Sequence, residues 1–339
     1  MRVLVTGGNR FVGLQLVRRL HALGHDVTVI NSHPVPYPEG VRRVHAVRGD
    51  REPFAAALSG IEVDAVFDNT AYGPADVKPV LAAFAGRVQQ YLFTSSIAAY
   101  RVSDLQPIHE HFPTETDPAR NVRGPYGSGK AVVERILFDL HRSDGLPVTV
   151  LRFSHVYGPG NAIAGREPAY FERIERDRPC IVPGDGLPFL HLVHVDDVVD
   201  AMVAALGNPD AIGESFTLAG TEAISYNGLM RAIGTAMGRD ANVIHIDREL
   251  GLSDRATRDK LSDWNEWEIG TRMFDLSKSQ ERLGWQPKRR IHEEMPVTYA
   301  WFREGGRKQF QFDFTFDDEI LARQHEWEAA GRRQAAPSA

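Results

Sequence analysis

Two residues of this chain have types and a spacing that suit proton transfer from an alcohol, Tyr126 and Lys130. Residues four apart on a helix lie on one face, so we expect the Lys130 ammonium close to the Tyr126 phenol. A nearby positive charge favours a phenolate and lowers the pKa of a tyrosine from about 10. The pair therefore predicts a general base for an alcohol, with an ordinary amphipathic helix as the alternative.

A glycine-containing loop follows the first predicted strand and leads into a helical pattern. Gly7 permits a tight turn after the strand, and Gly13 permits close packing of the helix on it. The N–H groups and the positive dipole of a helix N-terminus suit a pyrophosphate. Arg10 replaces the middle glycine of the usual Gly-x-x-Gly-x-x-Gly pattern. The predicted cofactor contacts in this loop are Gly7, Asn9, Arg10, Phe11, Val12 and Gly13.

The residue at the end of the second predicted strand bears on the type of cofactor. Asn31 stands where an acidic residue would bind the adenosine ribose and repel a 2′-phosphate. Asn31 can hydrogen-bond a ribose but repels nothing, and Arg10 could pair with a 2′-phosphate or with the pyrophosphate. Asp50, followed by Arg51, is interpreted as an adenine contact, with a turn as the alternative. NAD and NADP both remain open at this point.

Strand patterns recur along the first half of the chain, with helical patterns between most of them. The predicted strands cover residues 2–6, 27–30, 41–48, 63–68, 90–94 and 148–153. Apolar residues at helical spacing mark the helix after the first strand, and Gly24 ends it. Strands that alternate with helices predict an α/β fold, here a Rossmann-type doubly wound parallel sheet.

The alternation loosens from about Gly158. Short strands and helices near residues 169, 181, 197, 216 and 226 indicate a smaller, interleaved C-terminal substrate lobe. We predict a dinucleotide-binding Rossmann domain at residues 1–165 and a substrate-binding lobe at residues 166–330, from which one strand or helix returns to the first domain. Residues 331–339 are predicted to form a flexible tail.

The composition fits a soluble enzyme. Lys and Arg number 39 against 45 Asp and Glu, a net charge of −6, which gives no bulk attraction for nucleic acid or an anionic membrane. No apolar run approaches the roughly 20 residues that span a bilayer. The single cysteine, Cys180, suits a reducing compartment. A strand pattern begins directly after Met1, so we expect no signal peptide and a cytoplasmic protein.

A serine follows the fifth predicted strand at the point where ligands bind. A hydroxyl at the carboxyl end of a strand points into the ligand crevice of an open α/β sheet. Ser96 can therefore hydrogen-bond the substrate oxygen that Tyr126 deprotonates, and it would complete a Ser-Tyr-Lys set with Lys130. A serine that only forms a turn is the alternative.

These motifs resemble the extended short-chain dehydrogenase/reductases, the NAD(P)-dependent epimerase/dehydratase family. The resemblance runs from Met1 to about Arg303 and rests on residues 6–13, 95–100, 126–130, 151–160, 194–198, 274–278 and 283–287. It implies that Ser96 polarises the substrate oxygen, Tyr126 is the base and Lys130 holds the nicotinamide ribose. The further cofactor contacts that we expect are Asn69, Thr70, Ala71, Ser95, Phe153 and His155.

Three positions depart from the family pattern. His155 replaces the usual asparagine before Val-Tyr-Gly-Pro, and Leu190 replaces the arginine that grips a nucleotide diphosphate. These two losses weaken the case for an ordinary sugar nucleotide, because a diphosphate needs charged or forked donors. Arg10 is the third departure. The resemblance is to a branch that includes the chloroplast stem-loop-binding proteins, and it rests on Arg10, Arg166, Tyr170 and Arg173.

Several side chains have a predicted role toward a substrate. Arg166 and Arg173 are alternative diphosphate contacts, with surface arginines as the other interpretation. Trp264 and Trp267 are interpreted as packing, with a lid over a substrate ring as the alternative. Residues 109–111, two histidines around a glutamate, are interpreted as a solvated loop and not as a metal site. The predicted substrate contacts are Tyr72, Ser96, His155, Arg166 and Tyr170.

The residues after Ser96 narrow the predicted reaction. The 4,6-dehydratases of the family carry an Asp-Glu pair there, whereas Ile97 and Ala98 cannot move protons. We predict an NAD(P)-dependent epimerase, or an oxidoreductase, that acts on a secondary hydroxyl of a sugar moiety, sugar nucleotide or nucleoside through a transient keto intermediate. An epimerase regenerates its cofactor in each turnover and has no need of the NADPH pool, so NAD is the expected cofactor and NADP the alternative.

Other functions remain open on the sequence alone. One alternative is an NAD(P)H-dependent ketoreductase or a non-4,6-type dehydratase of a small metabolite. Another is a non-catalytic nucleotide-sensing or RNA-binding protein, which the intact Ser96, Tyr126 and Lys130 disfavour. The expected partner is a small molecule that carries a sugar, with a homodimer as a possible assembly, no membrane partner and nucleic acid disfavoured by the net charge.

Overall fold

The computed structural model describes residues 1–251, 257, 260–261 and 270–335. The chain divides into two compact units. The first combines Met1–Val156, Leu192–Thr221 and Phe274–Arg289, and the second combines Tyr157–His191, Glu222–Met273 and Arg290–Ala339. Trp264 and Trp267 lie outside the described residues. The predicted division of labour, with the cofactor on one domain and the substrate on the other, stays a prediction.

Short strands and helices follow one another along the described chain. The strands are β1 (Arg2–Thr6), β2 (Asp26–Asn31), β3 (Arg42–His45), β4 (Ala65–Asp68), β5 (Gln90–Ser96), β6 (Val148–Phe153), β7 (Val156–Tyr157), β8 (Cys180–Pro183), β9 (Phe189–Leu190), β10 (Val193–His194), β11 (Glu214–Leu218), β12 (Ile224–Ser225) and β13 (Val243–Ile246). The α-helices are α1 (Phe11–Ala22), α2 (Arg51–Leu58), α3 (Pro74–Phe84), α4 (Gly124–Asp144), α5 (Glu167–Glu175), α6 (Val195–Ala205), α7 (Tyr226–Met237), α8 (Arg248–Gly251), α9 (Ser277–Leu283), α10 (Ile291–Glu304) and α11 (Thr315–Ala335).

A parallel sheet of seven strands forms the centre of the first unit. Its order is β11-β6-β5-β4-β1-β2-β3, and every neighbouring pair is parallel. The strand order reverses between β1 and β4, and in such sheets ligands bind at the carboxyl ends of the strands next to this reversal. The predicted doubly wound parallel sheet is therefore confirmed.

Helices cover both faces of this sheet. On one face α1 and α6 pack against β1, with Leu16, Val17, Val198 and Met202 buried around Val3. The opposite face is covered by α2, α3 and α4, whose buried side chains include Phe54, Leu58, Val77, Val80, Val133 and Leu137. Strands buried on both faces are typical of parallel sheets, which explains their almost continuous apolar sequences.

The second unit is built from smaller sheets and helices. β8 pairs in parallel with β13, and β9 pairs in antiparallel with β12. Phe171 of α5 contacts Phe302 of α10, with ring centroids 5.4 Å apart. α11 extends past Gly331, where the sequence predicts the start of a flexible tail. No helix in the part of the chain that the structure describes is long and apolar enough to cross a membrane.

Candidate active site

The loop between β1 and α1 depends on glycine at two positions. Gly7 has φ +73°, a conformation that side chains with a Cβ rarely adopt, and a Cβ on Gly13 would lie 2.3 Å from the Gly7 carbonyl oxygen. Arg10 precedes α1, is exposed and gives no side-chain cap to the helix. The N–H groups of the first turn of α1 are thus available to an anion.

Buried hydrogen bonds join the carboxyl ends of β1 and β4 beside this loop. The Thr6 hydroxyl donates to the Asp68 carboxylate over 2.9 Å and accepts the Asn69 N–H over 3.1 Å. The Asn69 side-chain oxygen accepts from the Thr94 hydroxyl over 2.7 Å. Among the described residues, the buried Nδ2 of Asn69 has no hydrogen-bond partner. A buried amide donor at the switch point of the sheet suits an acceptor on a bound ligand.

The structure places Asn31 inside a polar cluster that the sequence did not reveal. Asn31 Nδ2 donates to the Tyr37 hydroxyl over 2.6 Å, and Arg43 Nε donates to Asn31 Oδ1 over 2.9 Å. Tyr37 in turn donates to the Gly8 carbonyl over 2.9 Å. Arg43 Nη2 is buried and has no hydrogen-bond partner within the described ranges. The ribose contact predicted for Asn31 stays a prediction, now with Tyr37 and Arg43 beside it.

The remaining predicted cofactor residues near the sheet edge are placed as follows. Asp50 is exposed and precedes α2, which begins at Arg51. Thr70 hydrogen-bonds the Thr6 hydroxyl over 3.3 Å, and the Ala71 carbonyl accepts from Lys130. The first unit thus brings the glycine loop and the carboxyl end of β4 together. The contact predicted between Asp50 and an adenine stays a prediction.

The turn after β5 packs directly on the start of α4. Ser96 caps a short 3₁₀ helix, and its Oγ accepts the Ala98 N–H over 3.1 Å. A Cβ on Gly127 would lie 2.4 Å from the Ala98 carbonyl oxygen, so glycine is required for this approach. Ser96 and Tyr126 are each one or two residues from that contact. The Ser96 hydroxyl keeps its own proton to donate, because the bond from Ala98 uses only a lone pair.

Lys130 is a buried ammonium held by backbone oxygens. Its Nζ donates to the carbonyls of Ala71 and Thr94, each over 2.7 Å. The Tyr72 and Phe93 ring centroids lie 4.8 and 4.9 Å from Nζ. Burial lowers the pKa of Lys130 to about 8. The expected proximity of this ammonium to the Tyr126 phenol, and its role toward a ribose, stay predictions.

Tyr126 stands at the exposed end of α4. Its side chain is 45% exposed, and its ring lies 6.1 Å from the Tyr72 ring at an interplanar angle of 45°. Tyr72 is also largely exposed and follows β4. Two accessible tyrosine rings therefore lie side by side, and one of them, that of Tyr72, is also within 4.8 Å of the buried Lys130 ammonium.

A buried ion pair fastens α4 to the strands beneath it. Arg152 Nη2 of β6 lies 2.7 Å from Glu134 Oε2 of α4, and both side chains are almost completely buried. Ser95, next to Ser96 on β5, donates a short hydrogen bond to the same carboxylate. The sequence analysis assigned Ser95 to the cofactor and missed Glu134 and Arg152. The Ser95 hydroxyl bonds α4, and the cofactor contact predicted for Ser95 stays a prediction.

The network continues to the loop before α4. Arg152 Nη1 donates to the Glu110 carbonyl over 3.1 Å, and its guanidinium stacks on Tyr100, 4.6 Å from the ring centroid. The Glu110 carboxylate accepts the Thr217 N–H over 2.7 Å. The prediction of a solvated loop at residues 109–111 is wrong for Glu110, which is buried because it bonds β11. Among the described residues, no group of three His, Cys, Asp or Glu side chains could hold a metal.

Two predicted site residues lie at the end of β6. Phe153 is buried and stands opposite Ser96 in the sheet register. His155 is buried too, and its carbonyl accepts the Val193 N–H over 3.0 Å. These placements keep both residues at the ligand-binding edge of the sheet, and their contacts with a cofactor or substrate stay predictions.

The second unit holds the other residues that the sequence predicts to contact a substrate, Arg166 and Tyr170, and the alternative diphosphate contact Arg173. Tyr170 is buried in this unit, and its hydroxyl donates to the Ile181 carbonyl over 3.3 Å. Arg173 is engaged by Asp317, with Nε 2.7 Å from Oδ2. Arg166 precedes α5 and Leu190 is fully buried in β9. Tyr170 and Arg173 are thus engaged within the second unit, and their predicted contacts with a substrate stay predictions.

Comparisons with known proteins agree with this architecture. The model of the NAD dependent epimerase/dehydratase family matches residues 3–219. Chloroplast stem-loop binding protein of 41 kDa b from Arabidopsis thaliana is 27% identical, over 95% of this chain and 84% of its own length. The 2′-dehydrokanamycin reductase of Streptomyces kanamyceticus is 28% identical, over 81% and 77%. A UDP-glucose 4-epimerase of Mycolicibacterium smegmatis is 30% identical, over 89% and 99%.

A solved structure supports the fold. The UDP-glucose 4-epimerase of Thermotoga maritima, determined with UDP-glucose, superposes with a TM-score of 0.74 at 24% identity and covers 90% of this chain and 99% of its own. The description of the matching family names NAD, the cofactor that the sequence predicts. Since the family model covers well over half of the chain, this protein belongs to the NAD dependent epimerase/dehydratase family.

Proposed function

We propose that this protein is an NAD-dependent epimerase that acts on a secondary hydroxyl of a sugar, with Tyr126 as the base. The observation that carries the proposal is the contrast between an accessible Tyr126 and a Lys130 that is 2% exposed on the same helix. Burying an ammonium is costly unless it is paired or solvated by dipoles. A protein that only binds a ligand has no need to bury such a charge on the helix that carries an exposed tyrosine.

Each residue of the Ser-Tyr-Lys set has a distinct role in this proposal. The Tyr126 phenolate accepts the proton of the substrate hydroxyl. The Ser96 Oγ donates a hydrogen bond to the same substrate oxygen, for which its proton is available while a lone pair binds the Ala98 N–H. Lys130 provides a fixed positive charge that favours the phenolate.

The residues at the switch point of the sheet fit NAD. Gly7 and Gly13 form a loop in which added side chains would collide, and the uncapped start of α1 faces the same edge. Asn69 contributes a buried donor that the described residues leave unsatisfied. When bound, NAD supplies reversible hydride transfer at the carbon that carries the reacting hydroxyl. The N-terminus of α1 would hold the pyrophosphate, and Asn31 would hold the adenosine ribose.

Epimerisation is favoured over dehydration at this site. Ile97 and Ala98, which follow Ser96, are buried apolar residues of the 3₁₀ helix and offer no acid or base. Loss of water from a sugar needs a further acid and base at these positions, whereas moving a hydrogen between the two faces of one carbon needs only Tyr126 and the nicotinamide. A UDP-glucose 4-epimerase is also among the relatives.

The test compares the turnover of two tyrosine-to-phenylalanine variants, Tyr126→Phe and the control Tyr299→Phe, with that of the parent protein. The substrates are a panel of UDP- and dTDP-hexoses, nucleosides and free sugars. Products are separated by chromatography and the inverted carbon is identified by NMR. Tyr126→Phe should lower turnover about 10²-fold or more while NAD still binds. Tyr299→Phe, which removes a hydroxyl bonded to Glu175 in the second unit, is the control. Turnover of Tyr126→Phe within a few-fold of the parent protein would refute the assignment of the base.

A second candidate function is reduction of a keto group on a sugar that carries no diphosphate. Leu190 favours it, because a fully buried leucine stands where the sequence motif has a diphosphate-binding arginine. Arg173, the alternative diphosphate-binding residue, already forms an ion pair with Asp317. One relative is a 2′-dehydrokanamycin reductase. If the candidate is right, keto-glycosides oxidise NADH faster than keto-sugar nucleotides do, and equal or reversed rates would exclude it.

A further inference from the structure

The Tyr72 ring covers Lys130 from the solvent side. Its centroid lies 4.8 Å from Lys130 Nζ, and the Phe93 ring lies 4.9 Å from the same atom. Phe93 is fully buried, whereas Tyr72 is 54% exposed. The ammonium therefore has a buried aromatic ring and an exposed one within cation–π distance. Of the two rings, only that of Tyr72 can be altered without opening the core.

The backbone of the segment that carries Tyr72 packs directly against α4. A Cβ on Gly129 would lie 2.2 Å from the Tyr72 carbonyl oxygen, so the contact requires glycine one residue before Lys130. The Tyr72 N–H donates to the Asp76 carboxylate over 2.8 Å. The neighbouring Ala71 carbonyl accepts from Lys130 itself. The ring thus has a fixed place above the ammonium.

We propose that Tyr72 is a positioning residue, whose aromatic face stabilises the protonated form of Lys130 and fixes that charge beside Tyr126. The role of Lys130 in this statement rests on the proposed function. The ring adds a negative electrostatic face at the ammonium itself, in addition to the two backbone carbonyls that accept from it. The contact with the Tyr126 ring, 6.1 Å away, places the same side chain next to the base.

The charges around Lys130 explain why a neutral ring matters. Burial lowers the pKa of Lys130, and Arg48, from the loop after β3, lowers it further. Asp68 of β4, Glu134 of α4 and Asp76 of α3 raise it. The balance leaves the pKa at about 8, so the ammonium form is the major species at neutral pH but not by a wide margin. Loss of one stabilising contact then removes a sizeable part of the charge.

The test reads the Lys130 titration directly. Protein labelled with ¹³C at the lysine ε-carbon is titrated by NMR, and the Lys130 signal is assigned with Lys130→Met. The parent midpoint is expected near pH 8. Tyr72→Phe keeps the aromatic face and should shift the midpoint by less than about 0.3 pH unit, whereas Tyr72→Leu should lower it by about 0.5 to 1 pH unit. A Tyr72→Leu midpoint at or above that of the parent protein would overturn the proposal.

A second variant and a kinetic readout separate this role from simple packing. Gly129→Ala pushes the Tyr72 carbonyl away from α4 and should shift the Lys130 midpoint in the same direction as Tyr72→Leu. The pH dependence of kcat gives the kinetic readout. The fall of kcat at alkaline pH should occur at lower pH in both variants than in the parent protein, by the same shift as the NMR midpoint. Unchanged NMR midpoints in both variants refute the role of Tyr72. A shifted midpoint without any turnover in the parent protein would instead refute the proposed function and leave the Tyr72 contact standing.

Discussion

Removing Glu134 tests how firmly α4 is held over the sheet. Its carboxylate forms an ion pair with Arg152, and the two side chains are 3% (Glu134) and 5% (Arg152) exposed. The same carboxylate accepts a hydrogen bond from Ser95. Glu134→Leu leaves the guanidinium buried without its counter-charge, which costs about 3–5 kcal/mol. Domains of this kind are stable by about 5–15 kcal/mol, so the single variant should lose a large fraction of its free energy of unfolding.

The double variant Glu134→Leu/Arg152→Met separates charge from packing. It removes both ions and keeps apolar bulk, a change that is often neutral or stabilising by about 1–4 kcal/mol. The lost hydrogen bonds of Ser95 and of the Glu110 carbonyl cost about 1 kcal/mol each. Its free energy of unfolding should therefore lie within about 2 kcal/mol of the parent value.

Urea denaturation followed by circular dichroism measures both variants, and turnover is measured on the folded proteins. If the ion pair sets the register of α4 against β5, the double variant folds but turns over more slowly, by up to about 10²-fold for a shift near 1 Å. A single variant that loses less than about 1 kcal/mol, or a double variant as unstable as the single one, would refute the reasoning.

Further predictions concern the cofactor, the substrate grip and pH. Asn31→Asp should increase the preference for NAD over NADP several-fold by repelling a 2′-phosphate, and Arg43→Ala should weaken the binding of NADP more than that of NAD. Calorimetry with both cofactors measures these affinities. A parent protein that prefers NADP by more than about a hundredfold would contradict the expected weak discrimination. Leu190→Arg should shift binding towards sugar nucleotides, unless the introduced charge unfolds the buried site, which a melting curve detects. Burial and then Arg289 lower the pKa of His194 to about 4, below its unfolded value of about 6.5. The unfolded chain thus binds more protons between these values, and stability should fall by on the order of 3 kcal/mol as pH drops through them, a loss that His194→Asn removes in denaturant titrations.

Periodicity and turn residues were sufficient to predict the sheet. The predicted strands at residues 2–6 and 148–153 coincide with β1 and β6, because an apolar run between turn signals marks both ends. The strand predicted at residues 41–48 is longer than β3, which ends at His45. Its last residue, Arg48, leaves the strand and pairs with the buried Asp68. That contact spans 20 residues, and local pattern cannot reveal it.

The candidate site was predictable only in part. Tyr126, Lys130 and Ser96 stand out by type and spacing, and Glu134 could have been added, since it lies four residues beyond Lys130 on the same helix face. Tyr37 and Arg43 could not, because Tyr37 lies on the loop after β2 and Arg43 on β3, and both reach Asn31 only in the folded chain. The ion pair of Arg173 with Asp317 could not be predicted either, because the two residues are 144 positions apart in sequence.

The glycines of the Tyr-Gly-Ser-Gly-Lys segment connect these observations. The Ala98 carbonyl packs against Gly127 and the Tyr72 carbonyl packs against Gly129, so backbone contacts fix both sides of α4 around the proposed catalytic pair, Tyr126 and Lys130. Such contacts do not depend on the identity of a substrate, and a rigid base can serve many sugars with one geometry. Substrate choice must then come from side chains outside this segment. Changes at Gly127 should therefore lower kcat for every substrate alike, whereas changes at Leu190 should alter the order of substrates.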